Sequence, residues 1–225
     1  MKNPKVLGLL LVGFLIASGV DLYAVYEDLP QWRHLSKPLI MPFLGAFYYF
    51  TSANKPSRLF LVALFFSFLG DSFLMYEGEL YFILGIACFW GTQTCYIIHF
   101  FPLIRKVARY KVILVTAMYL IYFVAMLRFL IPGLGDLTIP VSLYALTITV
   151  FGIVATLAWL HFKTAAITLV LGASLFIISD SMIALQKFVF QDFNLGFMVM
   201  LTYILAQGLI VLFEIRRPKL SNNNY

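Results

Sequence analysis

The chain has few charged residues. Only 12% of its 225 residues are Asp, Glu, Lys or Arg, and 62% are hydrophobic, whereas soluble domains are about 25% charged. This composition excludes an ordinary soluble domain and indicates an integral membrane protein. The net charge of +6 does not indicate nucleic-acid binding, because the basic residues lie at the ends of apolar stretches rather than in one patch.

Cysteine and histidine are also scarce. Cys88 and Cys95 lie in one apolar stretch, and two helical turns separate them by about 10 Å, which is too far for a disulfide. The three histidines have no further ligand residue at a spacing typical of metal sites. Phosphate loops, glycine-rich dinucleotide motifs and nucleophile elbows are absent from the sequence. We therefore expect neither a metal nor a cofactor.

What the chain does contain is a series of apolar stretches of spanning or near-spanning length. The loops between them are too short for a soluble domain. We therefore expect an all-α, polytopic membrane bundle of eight transmembrane helices, forming a single domain over residues 1–225 with a polar tail at 218–225. The eight stretches are Val6–Val25, Leu35–Thr51, Leu59–Met75, Leu80–Phe101, Val112–Ile131, Ile139–Leu160, Ala165–Leu185 and Leu195–Ile215.

Basic residues alternate between the connections. One face of the bundle would carry 12 Lys and Arg residues and the other face 4. Since cytoplasmic loops are enriched in Lys and Arg, this asymmetry predicts that both termini are cytoplasmic. We expect a multi-pass protein of the bacterial inner membrane.

Two aspartates interrupt the third and seventh stretches. Asp71 lies in Gly70-Asp71-Ser72, and Asp180 lies in Ser179-Asp180-Ser181. An aspartate at the centre of a membrane helix costs about 2.5–3.5 kcal/mol, so each of these needs a partner or a function. The repeated motif in two stretches of the same direction also leaves open a parallel four-plus-four duplication of the bundle.

Further polar residues are expected to line one pocket with the two aspartates, in the outer half of the membrane. Lys37 has two interpretations: it extends to the interface, or it contacts a phosphate or carboxylate. Asp21 is interpreted as an interfacial residue. The other residues expected to contact the substrate are Ser67, Gln93, Tyr96, Tyr144, Ser179, Tyr203 and Gln207. The structural alternative is that these groups are buried only to join packed helices by hydrogen bonds.

Several short motifs, in order along the chain, resemble the YhhN-type lysoplasmalogenase family. They run from the second stretch to the eighth: Lys37-Pro38-Leu39-Ile40-Met41-Pro42, Phe66-Ser67 with Gly70-Asp71, Gly85 with Phe89 and Tyr96, Pro140 with Tyr144, Gly172 with Phe176-Ile177-Ile178-Ser179-Asp180-Ser181, and Tyr203 with Ala206-Gln207. One departure is Gln93, which stands where many members of that family have His.

The resemblance implies an eight-helix membrane hydrolase that cleaves the vinyl ether bond of lysoplasmalogens. It also implies that Asp71 and Asp180 are the catalytic pair and that the substrate is a lysophospholipid entering from the bilayer. The competing class is a small proton- or cation-coupled transporter that uses the same aspartates. A transporter needs access from both faces, whereas the polar residues here concentrate in one leaflet, which favours the enzyme.

Overall fold

A computed structural model describes residues 4–52, 56–104 and 107–217, and no strand occurs within these ranges. The polar tail predicted at 218–225 lies outside the described residues. Short 3₁₀ turns follow α4, α5 and α6. The α-helices are α1 (Pro4–Tyr26), α2 (Pro30–Thr51), α3 (Arg58–Phe73), α4 (Glu79–Phe100), α5 (Arg109–Leu134), α6 (Thr138–Phe162), α7 (Ile167–Phe188) and α8 (Gly196–Arg216).

The helix boundaries differ from the predicted stretches by a few residues, and prolines lie at two of them. Helix α2 begins at Pro30 rather than Leu35, because a proline in the first turn loses no helical hydrogen bond and has the helical φ already fixed. The break predicted over Pro132–Asp136 contains the end of α5 at Leu134 and the turn at Gly135, which has a φ of 50°; the helix continues two residues beyond Pro132. Glycine adopts this left-handed conformation without steric cost.

Among the described residues, four helical segments are long and apolar enough to cross a membrane: Pro4–Tyr26, Glu79–Ile104, Arg109–Phe188 and Gly196–Arg216. The third of these has 80 residues and contains α5, α6 and α7 with their 3₁₀ connections. Helix α3, with 16 residues, is shorter than a usual membrane span of about 20 residues. The all-helical prediction is confirmed, and the count of eight crossings stays a prediction.

The surface of the protein is more apolar than that of a soluble protein. Large apolar residues such as Leu9, Ile121 and Ile139 are exposed. Some charged and amide groups, among them Asp71 and Gln207, are buried. An apolar exterior of this extent is unfavourable in water and suits a lipid surrounding.

The chain divides into two compact units. The first comprises the residues up to Cys95 together with those from Glu214 onward, and the second comprises Tyr96–Phe213. Helices α1, α2 and α3 pack in sequence in the first unit, and α5, α6 and α7 pack together in the second. Asp71 belongs to the first unit and Asp180 to the second.

Glycines allow close packing beside each aspartate. A Cβ atom on Gly70 would lie 2.8 Å from the ring of Phe89, so the missing side chain lets α4 approach α3 next to Asp71. A Cβ atom on Gly172 would lie 3.0 Å from the carbonyl oxygen of Ala206. Small residues at helix contacts in membrane proteins allow backbones to approach closely. At Gly172 this close approach lets α7 pack against α8.

Candidate active site

Asp71 lies near the end of α3 and is only 3% exposed. One turn earlier, Ser67 is fully buried, and its hydroxyl group shares a 3.2 Å hydrogen bond with the hydroxyl group of Thr92 on α4. Thr92 also donates to the carbonyl oxygen of Ala63. These bonds fix α3 to α4 at the level of the aspartate. Thr92 was missed in the sequence, where a threonine in an apolar helix gives no distinct signal.

Lys37 on α2 is 4% exposed, so it does not extend to solvent as a residue at a helix end often does. Its ammonium group is attracted by Asp71 and Asp21 and repelled by Arg33. Of the two sequence interpretations, the structure excludes extension to the interface. The predicted contact with a substrate phosphate stays a prediction.

Asp21 is not the interfacial residue that its place near the end of α1 suggested. It is fully buried, and the hydroxyl group of Ser36 on α2 donates to its Oδ1 atom over 3.3 Å. Its Oδ2 atom and the Oγ atom of Ser18 are buried without a hydrogen-bond partner among the described residues. The spacing of Ser18 and Asp21, three residues apart, could have indicated a shared polar face.

Gln93 on α4 is fully buried. Neither its amide nitrogen nor its amide oxygen has a hydrogen-bond partner within the part of the chain that the structure describes. Unsatisfied buried amides are rare in folded proteins and each requires an explanation, such as a bound water or ligand. A buried amide that lacks a partner agrees with the predicted contact between Gln93 and a substrate. That contact stays a prediction.

Asp180 on α7 is the centre of a second polar cluster, in the second unit. It is 9% exposed, and the hydroxyl group of Tyr144 on α6 donates to its Oδ2 atom. Its chain neighbour Ser181 shares a hydrogen bond with Tyr122 on α5. The other neighbour, Ser179, donates to the carbonyl oxygen of Val199 over 3.0 Å. Groups from α5, α6 and α8 therefore form hydrogen bonds with Asp180 or with one of its two chain neighbours.

Tyr96, Gln207 and Tyr203 form a separate chain of hydrogen bonds in the second unit. The Tyr96 hydroxyl group donates to the Gln207 Oε1 atom over 2.7 Å, and the Gln207 Nε2 atom donates to the Tyr203 hydroxyl oxygen over 3.4 Å. All three are buried. Because these groups satisfy one another, the geometry suits the joining of helices as well as the substrate contact that was predicted.

The structure thus groups the predicted residues in two sets. The first unit contains Asp71, Lys37, Ser67 and Gln93; the second contains Asp180, Tyr144, Ser179, Tyr96, Tyr203 and Gln207. A common pocket for the two sets stays a prediction. Within the described ranges no three His, Cys, Asp or Glu residues are placed to hold a metal ion.

Comparisons with known proteins bear on the same residues. A sequence model of the YhhN family matches residues 32–213. The chain is 36% identical over 174 residues to "Lysoplasmalogenase TMEM86A" of Bos taurus, and the alignment covers 72% of this chain and 68% of the bovine one. No solved structure matches. Asp71 and Asp180 lie within the matched range, whereas Asp21 precedes it.

Proposed function

Since the chain belongs to the YhhN family, whose model covers residues 32–213, we propose that it is a membrane hydrolase that cleaves the vinyl ether bond of a lysoplasmalogen. The products are a fatty aldehyde and glycerophosphoethanolamine or glycerophosphocholine. The similarity to a lysoplasmalogenase supports this activity. The observation that carries the chemistry is the burial of two aspartates, each among polar side chains, in a helical protein with an apolar exterior.

The proposed reaction begins with a proton. A neutral aspartic acid donates it to the vinyl carbon that is not bonded to oxygen, and the double-bond electrons form the new C–H bond. The resulting positive charge is shared by the other vinyl carbon and the ether oxygen, as in glycoside hydrolysis. Water then adds to that carbon and passes a proton to a carboxylate. The hemiacetal releases the aldehyde and a glycerol hydroxyl group.

Asp71 and Asp180 supply the two carboxyl groups of this scheme, one acting as the acid and the other as the carboxylate. Proton transfer by a positioned side chain accelerates reactions by about 10²- to 10⁴-fold. Tyr144, which donates to the Asp180 carboxylate, positions that group. The Gln93 amide, which has no hydrogen-bond partner among the described residues, suits either the attacking water or a glycerol hydroxyl group, because it offers both a donor and an acceptor.

The lipid enters from the bilayer with its chain among the helices, and its phosphate lies against Lys37, whose cationic group is buried in the first unit. A lysine is a common phosphate ligand. In this proposal the protein has eight transmembrane helices and lies in the bacterial inner membrane with both termini in the cytoplasm.

The orientation is open to a direct test. Alkaline phosphatase folds only outside the cytoplasm, so this reporter is expected to be inactive when it is fused to the C-terminus. A green fluorescent protein fused at the same place is expected to fluoresce. The physical reason is the distribution of 12 basic residues on one face and 4 on the other. High phosphatase activity with a dark fluorescent fusion would show that the assignment of faces is inverted.

The activity itself is tested with purified protein in detergent. A lysoplasmalogen is expected to release a fatty aldehyde, detected by mass spectrometry, whereas the saturated alkyl ether of the same chain length is expected to remain intact. The saturated ether has no double bond to accept a proton, so it is a matched control for binding without reaction. Ion uptake by proteoliposomes together with an intact lysoplasmalogen would favour the transporter instead.

A further inference from the structure

Two acceptor oxygens on α1 are buried without hydrogen-bond partners among the described residues. They are the Oδ2 atom of Asp21 and the Oγ atom of Ser18. Ser18 is 5% exposed and Asp21 is fully buried. Residues three apart on a helix lie on the same face, so the two oxygens are placed to accept hydrogen bonds from one group. A buried acceptor that bonds neither to protein nor to water is unfavourable, which points to a ligand with N–H or O–H donors.

Cationic groups lie beside these acceptors. Lys37 and Arg33 on α2 both interact electrostatically with Asp21. The Nε atom of Arg33 is buried and also has no partner within the described chain. Asp71 is a further neighbour of Lys37. The cluster therefore combines two acids with two bases and has no formal net charge, and it lies wholly in the first unit.

We infer that this cluster binds the zwitterionic headgroup of a lysophospholipid and selects phosphoethanolamine over phosphocholine. The phosphate lies against Lys37 and Arg33, and the primary ammonium donates hydrogen bonds to Asp21 and Ser18. The inference rests on the proposed function for its substrate class, a lysolipid. It adds the headgroup preference and a role for Asp21, which precedes the range matched by the family.

The chemistry of the two headgroups accounts for the selection. A primary ammonium has three N–H donors and fits two adjacent acceptors. The trimethylammonium of phosphocholine has none, so the two buried oxygens would remain without hydrogen bonds and would also face three added methyl groups. An anionic headgroup such as phosphoglycerol would add a net negative charge to a neutral, buried cluster, which is unfavourable.

The test measures binding apart from hydrolysis. Lysophosphatidylethanolamine and lysophosphatidylcholine with the same acyl chain contain no vinyl ether, so their dissociation constants for purified protein in detergent report headgroup binding alone. We expect the ethanolamine lipid to bind about tenfold more tightly, which converts to about 1.4 kcal/mol. Asp21→Asn should reduce this preference to less than about twofold, and Ser18→Ala should reduce it to about threefold, since 0.65 kcal/mol corresponds to this ratio.

Asp28→Asn is the matched control. Asp28 is exposed in the connection between α1 and α2, and its φ of 53° is one that Asn also tolerates. This variant makes the same chemical change a short distance along the chain and should keep the full preference. If Asp21→Asn fails to fold, Ser18→Ala alone tests the headgroup preference, because this variant retains every charge of the cluster.

The outcomes separate this inference from the proposed activity. Two results would overturn the inference, even if aldehyde release is intact: equal affinities for the two lipids in the unmodified protein, or a preference that persists in both Asp21→Asn and Ser18→Ala. Either result would mean that water forms the hydrogen bonds to the two buried oxygens. A lost preference in the variants supports it, even if no vinyl ether is cleaved. Free glycerophosphoethanolamine should compete more weakly than the lipid; equal competition would indicate a site for the soluble headgroup and overturn the lipid assignment.

Discussion

Replacing Asp71 or Asp180 with Asn is expected to lower the turnover of lysoplasmalogen at least about 100-fold, the lower end of the usual contribution of acid–base catalysis. Asparagine has nearly the same size and still forms hydrogen bonds, but it supplies neither the proton nor the negative charge of the proposed reaction. Each aspartate is almost completely buried, so neither role passes readily to bulk water. The measurement is aldehyde release per molecule of purified, folded variant.

Two comparisons make this result specific. Asp136→Asn removes a carboxylate from an exposed position in the turn between α5 and α6 and should leave turnover unchanged. The double variant Asp71→Asn with Asp180→Asn should be little slower than the slower single variant, because residues that act in one reaction have strongly non-additive effects. Near-normal turnover in either folded single variant would remove that aspartate from the mechanism and support the structural alternative.

Tyr144→Phe is expected to lower turnover by about 10- to 100-fold. The Tyr144 hydroxyl group donates a hydrogen bond to Asp180, and a hydrogen bond to a charged group contributes about 1.5–3 kcal/mol, which corresponds to that range of rates. The loss should appear in kcat more than in KM, since the tyrosine positions the carboxylate and is not assigned to the lipid headgroup. Steady-state kinetics on the purified variant separate the two constants.

Tyr119→Phe is the matched control for this change. Its hydroxyl group shares a 3.0 Å hydrogen bond with Thr156 in the same unit, and no hydrogen bond joins it to an aspartate among the described residues. The same loss of one hydroxyl oxygen at this position should alter thermal stability slightly and leave kcat within about twofold of the unmodified protein, since a neutral pair contributes about 0.5–1.5 kcal/mol to stability. Equal loss of kcat in the two variants would contradict a specific role for Tyr144.

The helices were largely predictable, because long apolar stretches of low charge leave few other structures in a membrane. The ends of the helices were less predictable. The predicted break covered Pro132–Asp136, and α5 ends inside it at Leu134, two residues beyond the proline. A proline close to the C-terminal end of a helix removes one hydrogen bond, and the helix can continue for a few residues beyond it. Local residue type alone does not determine at which residue of a predicted break the helix ends.

The site was predictable where a charge interrupts an apolar stretch, as at Asp71 and Asp180. It was not predictable where the partner comes from another helix. Asp21 looked interfacial because of its place near the end of α1, and only packing against α2 brings Ser36 to it. Gln93 and Gln207 look alike in the sequence, yet Gln207 bonds with Tyr96 and Tyr203, whereas the Gln93 amide has no such bond among the described residues.

The most direct measurement of the central claim is the mass of the aldehyde released from a lysoplasmalogen in deuterated water. Protonation at carbon predicts that the aldehyde carries one deuterium on the carbon next to its carbonyl group, and that its release is slower than in ordinary water. Aldehyde added to the same buffer without substrate corrects for exchange. No release above that of the Asp71→Asn variant, or release of aldehyde without the label, would contradict the account.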